Sequence, residues 1–407
     1  MAKPISNHAQ RALPITACAA VTACGIGTRA LHDGLLHNVH RLRVPRLFAL
    51  DFATYVGEVA DELPALAADS VAFDTRNARL ALAAMQHAPD GLLPALADAV
   101  ERYGSDRIGV VIGTSTSGMY ETEQAFAHRH EHGRFPDHYH FERQHAWNAT
   151  ADFIRSYLQL GGPCYTISTA CSSGSKALIV AQRLIRTGVC DAVIAGGVDS
   201  LCRLTCYGFK SLELTAEQPC TPLDRDRNGI SLGEGGALML LERTREALND
   251  RVHLLGCGES SDAHHMTAPH PQGKGALLAM QQALAAAGRD PRQIDYVNLH
   301  ATGTPQNDRA EMLAMQQLFD DAVQCSGTKG LTGHTLGAAG AIEAAICWLS
   351  LQQQFRPGTC GLQQVDPEFQ RPVISAPQPR AALRNVMCNN FGFGGNNSSL
   401  VLGYVDA

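Results

Sequence analysis

No run of the 407-residue chain approaches the roughly 20 consecutive apolar residues that a membrane-crossing helix needs. The N-terminus, Met-Ala-Lys-Pro-Ile-Ser-Asn-His-Ala-Gln-Arg, has no uninterrupted apolar stretch and does not read as a secretory leader. The 13 cysteines contain no CxxC pair and follow no regular spacing, which argues against a disulfide framework and against a zinc ribbon. Most are expected to be small buried hydrophobes in a reducing compartment. An excess of positive charge is also missing: the formal net charge of −6 disfavours nonspecific nucleic-acid binding. There is no short-period repeat and no low-complexity tract. These absences point to a soluble cytoplasmic protein.

What is present suits a compact, glycine-turn-rich α/β enzyme: 45% apolar residues and 38 glycines. The length exceeds one ordinary core, so two large units or one duplicated fold are expected. Strand-like apolar runs such as Ile108–Ile112, Asp191–Ala195, Tyr296–Leu299 and Ser398–Leu402 alternate with helical patterns, which favours sheets covered by helices. Gly235–Leu241 reads as a strand closing the first half, and Val252–Cys257 restarts the pattern after a charged junction. The boundary is set there, giving units 1–246 and 247–407.

Cys171 stands out in Ser-Thr-Ala-Cys-Ser-Ser-Gly-Ser-Lys (168–176), between the strand-like Tyr165-Thr-Ile167 and a helical pattern. Ala177, Leu178, Ala181, Leu184 and Ile185 share one face of that helix. A thiol at a helix N-terminus meets free N–H groups and the positive end of the dipole, both of which favour the nucleophilic thiolate. Three later segments are glycine-rich, end an apolar strand and carry reactive polar groups. They are Asn298–Asp308 with His300, Ser326–Gly340 with Lys329 and His334 running into a helix with Glu343, and Cys388–Asn397.

With these segments in this order, the chain resembles the elongating β-ketoacyl-acyl-carrier-protein synthases, which use one cysteine and two histidines. Thr169–Gly174, His300–Thr304, Lys329 with Thr332-Gly-His334, Asn390–Gly395 and Pro222–Gly236 carry the resemblance, which covers nearly the whole chain. It implies a thiolase fold: two similar βαβαβ-containing halves in a five-layered αβαβα arrangement, usually as a dimer. The first half would carry the nucleophilic cysteine, the second the two histidines and the lysine. The initiating branch has asparagine where this chain has His334, and is disfavoured.

The resemblance also implies roles. Cys171 would hold an acyl chain as a thioester, with the N–H groups of Cys171 and Phe393 as the oxyanion hole. His300 and His334 would stabilise the enolate formed as malonyl loses carbon dioxide, lengthening the chain by two carbons. Lys329 would orient and polarise the histidines, with Glu343 in support. Thr302 and Thr304 would hold the pantetheine arm, while Phe393, flanked by Gly392 and Gly394, would act as a gate. Thr116 would line the acyl pocket. The partner would be an acyl carrier protein, which brings substrates on its phosphopantetheine arm; no metal or redox cofactor is required. Arg76, Arg79, Arg134 and Lys210 would form a basic landing patch for that acidic carrier.

Two departures bear on substrate identity: Asn396 where threonine is common, and Gly330 where serine is common. General fatty-acid elongation therefore competes with a specialised role in aryl polyene or polyketide synthesis. The protein would be a homodimer, or a heterodimer with a homologous chain-length factor. The chain could itself be a non-catalytic chain-length partner, but such partners typically lack the cysteine retained here. A cysteine hydrolase fits two histidines and a lysine less well. A degradative thiolase would need a second reactive cysteine, and Cys388 does not match its setting. The histidines at 128, 130, 132, 138, 140 and 145 read as a solvated or dimer-facing loop rather than a metal site.

Overall fold

The computed structural model of the chain describes residues 12–405. Residues 1–11, the segment read above as lacking a leader, lie outside the described residues.

The first half runs through β1 (Leu13–Thr22), β2 (Gly25–Ile26), α1 (Thr28–His37), α2 (Arg76–Gln86), α3 (Leu92–Tyr103), β3 (Ile108–Gly113) and α4 (Met119–His132). It continues with α5 (Phe141–Gln144), α6 (Ala149–Tyr157), β4 (Cys164–Ile167), α7 (Ser173–Arg186), β5 (Ala192–Asp199), α8 (Arg203–Ser211) and β6 (Gly235–Glu242). The second half holds β7 (His253–Ser261), α9 (Lys274–Ala287), β8 (Tyr296–Asn298), α10 (Pro305–Leu318), β9 (Gln324–Ser326) and α11 (Lys329–Thr332). It ends with α12 (Ala339–Gln353), β10 (Phe355–Arg356), β11 (Gln378–Pro379), β12 (Asn385–Gly392) and β13 (Asn396–Gly403).

Strand pairing exposes a duplication that residue identity hides. The first half is ordered β4-β3-β5-β6-β1 and the second β9-β8-β12-β13-β7. In each, the first two pairings are parallel and the next two antiparallel. The halves join edge to edge where Leu13 and Pro14 of β1 pair with Leu254 and His253 of β7.

Helices complete the layers. α2, α3 and α6 cover the outer face of the first sheet, α9 with α10 against it covers that of the second, and α7 and α12 lie between. Composition explains the placement. α12, Ala-Gly-Ala-Ile-Glu-Ala-Ala-Ile-Cys-Trp-Leu-Ser-Leu-Gln-Gln, is apolar nearly all round and is buried along most of its length. α7 buries Ala177, Leu178, Ala181 and Ile185 along its predicted stripe, with Leu184 partly buried against the same core. The two helices meet at Gly174, where a Cβ would sit 2.8 Å from Ala341 N and 2.9 Å from Gly337 O. Glycine therefore lets the helix that follows Cys171 approach the segment that follows His334.

The histidine-rich stretch differs from the expected loop: His128, His130 and His132 lie on α4, and only His138, His140 and His145 fall in irregular chain, the last two flanking α5. Their helical spacing comes with a capping Gly133 at φ 75° that ends the helix.

Candidate active site

The reactive side chains leave the C-terminal ends of parallel strands, the usual opening in such sheets. Cys171 follows β4, His300 follows β8 and Lys329 follows β9, while Phe393 sits in the turn between β12 and β13.

Cys171 is held by a tight turn. Ala170 adopts φ 53°, a left-handed conformation unusual for a residue with a Cβ. Ser173 fixes it, accepting from Thr169 N–H (2.9 Å) and donating to Ala170 O (2.6 Å). The thiol is 6% exposed at the start of α7. Burial pushes the Cys171 thiol up to about 11, against the opposing pull of Lys329 and of the N–H groups of Phe393 and Cys171. The helix end and its N–H groups favour the thiolate as expected, but loss of solvation outweighs them. His334 Nε2 lies 3.0 Å from Sγ and is placed to take the proton when the sulfur attacks. Alkylation of Cys171 by iodoacetamide is expected to keep accelerating past pH 9, where an ordinary thiol levels off; a plateau near pH 8.5 would contradict the buried thiol.

Lys329 organises the other wall. Its Nζ, buried, donates to His300 O and to Glu343 and lies 3.2 Å from His300 Nδ1. Donation to Nδ1 leaves the proton of a neutral His300 on Nε2. Burial and Lys329 hold both His300 and His334 well below the usual histidine value, with His334 adding to the effect on His300. Glu343 is raised to about 7 by burial, opposed by Lys329 and by Asn390 Nδ2, which donates to its other oxygen. The two imidazoles meet edge to face at 5.2 Å, and ligating atoms of Cys171, His300 and His334 all lie within 4.8 Å of one another.

A cavity of about 210 Å³ opens over these groups. Thr302 and Thr304 line it, their hydroxyls 3.0 Å apart, with Thr304 also capping α10 by accepting from Asn307 N–H. Phe393 stacks on Phe209 at 5.5 Å and 24°. Gly394 takes φ 75°, a conformation that favours glycine, and a Cβ on Gly392 would sit 3.1 Å from Cys171 N, so the loop lies close against the nucleophile.

The family model described as β-ketoacyl synthase, N-terminal domain, matches residues 10–247, and that of the C-terminal domain matches residues 252–363. The chain belongs to the β-ketoacyl synthase family. A 3-oxoacyl-[acyl-carrier-protein] synthase 2 of Vibrio cholerae is 36% identical over 320 residues, 74% of this chain and 77% of that protein. Among solved structures, a ketosynthase in complex with its chain length factor from Xenorhabdus doucetiae is 39% identical, with a TM-score of 0.89 over 99% of this chain and 100% of that one. The ishigamide ketosynthase/chain length factor is 26% identical, with a TM-score of 0.89 over 98% of this chain and 100% of that chain.

In this β-ketoacyl synthase two of the expected site residues are engaged with buried carboxylates. Thr116 does not line the cavity; its hydroxyl donates to buried Asp199 at 2.8 Å. Arg76 is committed within the chain: its guanidinium clasps fully buried Glu234, with Nε 2.7 Å from Oε2. Arg76→Ala is expected to lower stability by about 2 kcal/mol by stranding that carboxylate, measurable by urea denaturation. Arg79, Arg134 and Lys210 keep exposed side chains, but each faces an acidic neighbour: Asp74 at 2.6 Å, Asp137 at 2.6 Å and Glu217 at 4.0 Å.

Sequence reasoning missed several residues. Asn390 belongs to the Asn390–Gly395 motif, and a pair of amides, Asn389-Asn390, directly after the apolar Val386-Met-Cys388 was the available signal. Glu311, two turns into α10, accepts from the N–H groups of His300 (2.9 Å) and Ala301 (2.8 Å), holding Ala301 at φ 28°. Nothing in the sequence marks it. Phe209 on α8 carried no motif either.

Proposed function

We propose that this β-ketoacyl synthase catalyses the decarboxylative condensation of malonyl-acyl carrier protein with an acyl chain held on Cys171, extending that chain by two carbons. The convergence of Cys171, His300 and His334 on one cavity, with the N–H groups of Cys171 and Phe393 facing Sγ, supports this reading.

In the first step Sγ attacks the acyl thioester as His334 takes its proton. The two N–H groups stabilise the oxyanion, and the departing pantetheine sulfur receives the proton. In the second step the malonyl carboxylate leaves as carbon dioxide, and the electron pair of the broken C–C bond passes into an enolate. His300, presenting Nε2–H, stabilises that oxygen, joined by His334 once its single proton has moved from Nδ1 to Nε2. The enolate carbon then attacks the acyl-Cys171 carbonyl, a C–C bond forms, and Sγ leaves as thiolate and takes up a proton from water to restore the thiol. Thr302 and Thr304 hold the pantetheine arm, Glu343 supports Lys329, and Phe393 swings on Gly392 and Gly394 to admit the chain. The polarising work falls to imidazoles and N–H groups, so this reading calls for no metal or redox cofactor. The first unit, 1–246, supplies the nucleophile and the second, 247–407, the histidines and lysine. No helix among the described residues is long and apolar enough to cross a membrane, and the reading places the enzyme with its carriers in the cytoplasm.

Near-complete overlap with two ketosynthase/chain length factor structures favours a specialised synthase paired with a homologous subunit. β4 is the outer strand of its sheet, with Tyr165 exposed, and offers an open edge to such a partner just before Cys171. Full condensation by the purified chain as a homodimer would sink the paired version and leave the reaction itself standing.

Because both histidines titrate well below 6.5, condensation is expected to stay level from pH 7.5 down through 6.5. Substrate-saturated turnover measured across that range checks it; a fall centred at pH 6.5 would contradict neutral, buried imidazoles.

A further inference from the structure

Asp199, the last residue of β5, is fully buried, and no ion pair to it is found among the described residues. Its carboxylate is satisfied instead by loop donors. Thr114 Oγ1 donates at 2.5 Å, Ser115 N–H at 2.9 Å, Thr116 N–H at 2.9 Å and Thr116 Oγ1 at 2.8 Å. From the other half of the molecule, Gly337 N–H donates at 2.6 Å.

Each group of donors leads to one wall of the active site. Ser115 Oγ donates to Ala170 O at 3.3 Å, the carbonyl of the left-handed residue just before Cys171. Gly337 follows His334 across Leu336, a buried leucine at φ 51°. A leucine in that region costs about 1–2 kcal/mol and needs its surroundings to hold it. A Cβ on Gly337 would lie 2.7 Å from Asp199 Oδ2 and 2.7 Å from Ser115 N, so no other residue fits so close to the clamp.

We infer that Asp199 is a positioning residue that sets the separation of Cys171 Sγ and His334 Nε2 by tying the turn before the nucleophile and the turn after the histidine to one carboxylate. It does not line the cavity, so it acts through these turns and not on substrate. The inference rests on the condensing reading for its consequence in catalysis. The clamp itself bears on proton transfer between the sulfur and the imidazole, whatever the acyl donor.

Two variants test it. Ser115→Ala removes only the hydroxyl that reaches Ala170 O. Asp199→Asn keeps the shape and turns one acceptor into a donor facing N–H groups. The first readout is the alkylation rate of Cys171 by iodoacetamide between pH 7 and 10, which needs no carrier protein. Ser115→Ala is expected to react about 3- to 5-fold more slowly at pH 8, the worth of one hydrogen bond, because the thiol loses its aligned base. A role that is merely structural predicts the opposite, since a loosened turn exposes the thiol and speeds alkylation. The second readout is acyl transfer from acyl-carrier protein to Cys171, followed by intact mass. A folded Asp199→Asn is expected to acylate on the order of 10²-fold more slowly at unchanged half-saturation, as displacement of reacting groups does. Alkylation by Ser115→Ala at or above the wild-type rate overturns the clamp, whether or not Asp199→Asn folds. Failure of the wild-type protein to accept any acyl group overturns the condensing reading instead, and leaves the alkylation comparison to decide the clamp.

Discussion

His300→Ala is expected to accept an acyl group on Cys171 at close to the wild-type rate and yet to condense it with malonyl-carrier protein about 10²–10³-fold more slowly. The magnitude is that of deleting one preorganised donor to a developing oxyanion. The split follows from where the donors sit. The acylation step uses Sγ, His334 at 3.0 Å and two backbone N–H groups, none of which His300 supplies. The decarboxylation step uses the Nε2–H that Lys329 fixes by donating to Nδ1. Parallel measurement of Cys171 acylation by mass and of carbon dioxide release from malonyl-carrier protein separates the two. Equal losses in both steps would mean that His300 serves the nucleophile, and the assignment of the two walls would fail.

Lys329→Met is expected to cost about 3–5 kcal/mol of stability, because it strands Glu343 in the middle layer of the fold. Lys329 and Glu343 are both almost wholly buried, with side chains 2% and 4% exposed. The pH dependence carries a sign. Glu343 is raised to about 7 in the folded chain, so a proton on it favours folding, and that contribution is lost as the pH rises through about 7. Removing Lys329 removes a force that lowers this value and lifts it further. The stability deficit of Lys329→Met should therefore be largest above pH 8 and shrink toward pH 5, read from urea midpoints at each pH. A deficit that grows on acidification would contradict the buried pair. The same variant should lose condensation, since His300 loses the donor that sets its tautomer.

Much of the site was legible because chemistry and punctuation coincide in it. Cys171, His300 and Lys329 each follow a strand, His334 follows the short helix after Lys329, and the fold brings Cys171, His300 and His334 onto one cavity with Lys329 buried behind His300. The strands at 108–113, 235–242 and 396–403 were legible from apolar runs. The duplication was legible only through the family resemblance, because it resides in strand order and direction, which leave no mark on residue identity. Solvation was also hidden: a helix end suggested a thiolate, but the depth of Cys171 depends on the middle layer packed over it. The partners of Arg76 and Thr116 were hidden for a related reason. An arginine or threonine at a plausible place in the chain says nothing of a buried partner brought from far along the sequence, here Glu234 and Asp199.

Intact mass spectrometry of the holoenzyme tests the central claim most directly. The protein is exposed to a panel of acyl-carrier proteins, with a chain-length-factor homologue present where the enzyme proves to need one, and then to malonyl-carrier protein. The account predicts one acyl adduct, mapped to Cys171, that disappears on adding malonyl-carrier protein as a carrier-bound product longer by two carbons forms. Cys171→Ala should show neither adduct nor product. Full condensation by Cys171→Ala, or no adduct and no product with any donor in the wild-type protein, would contradict it.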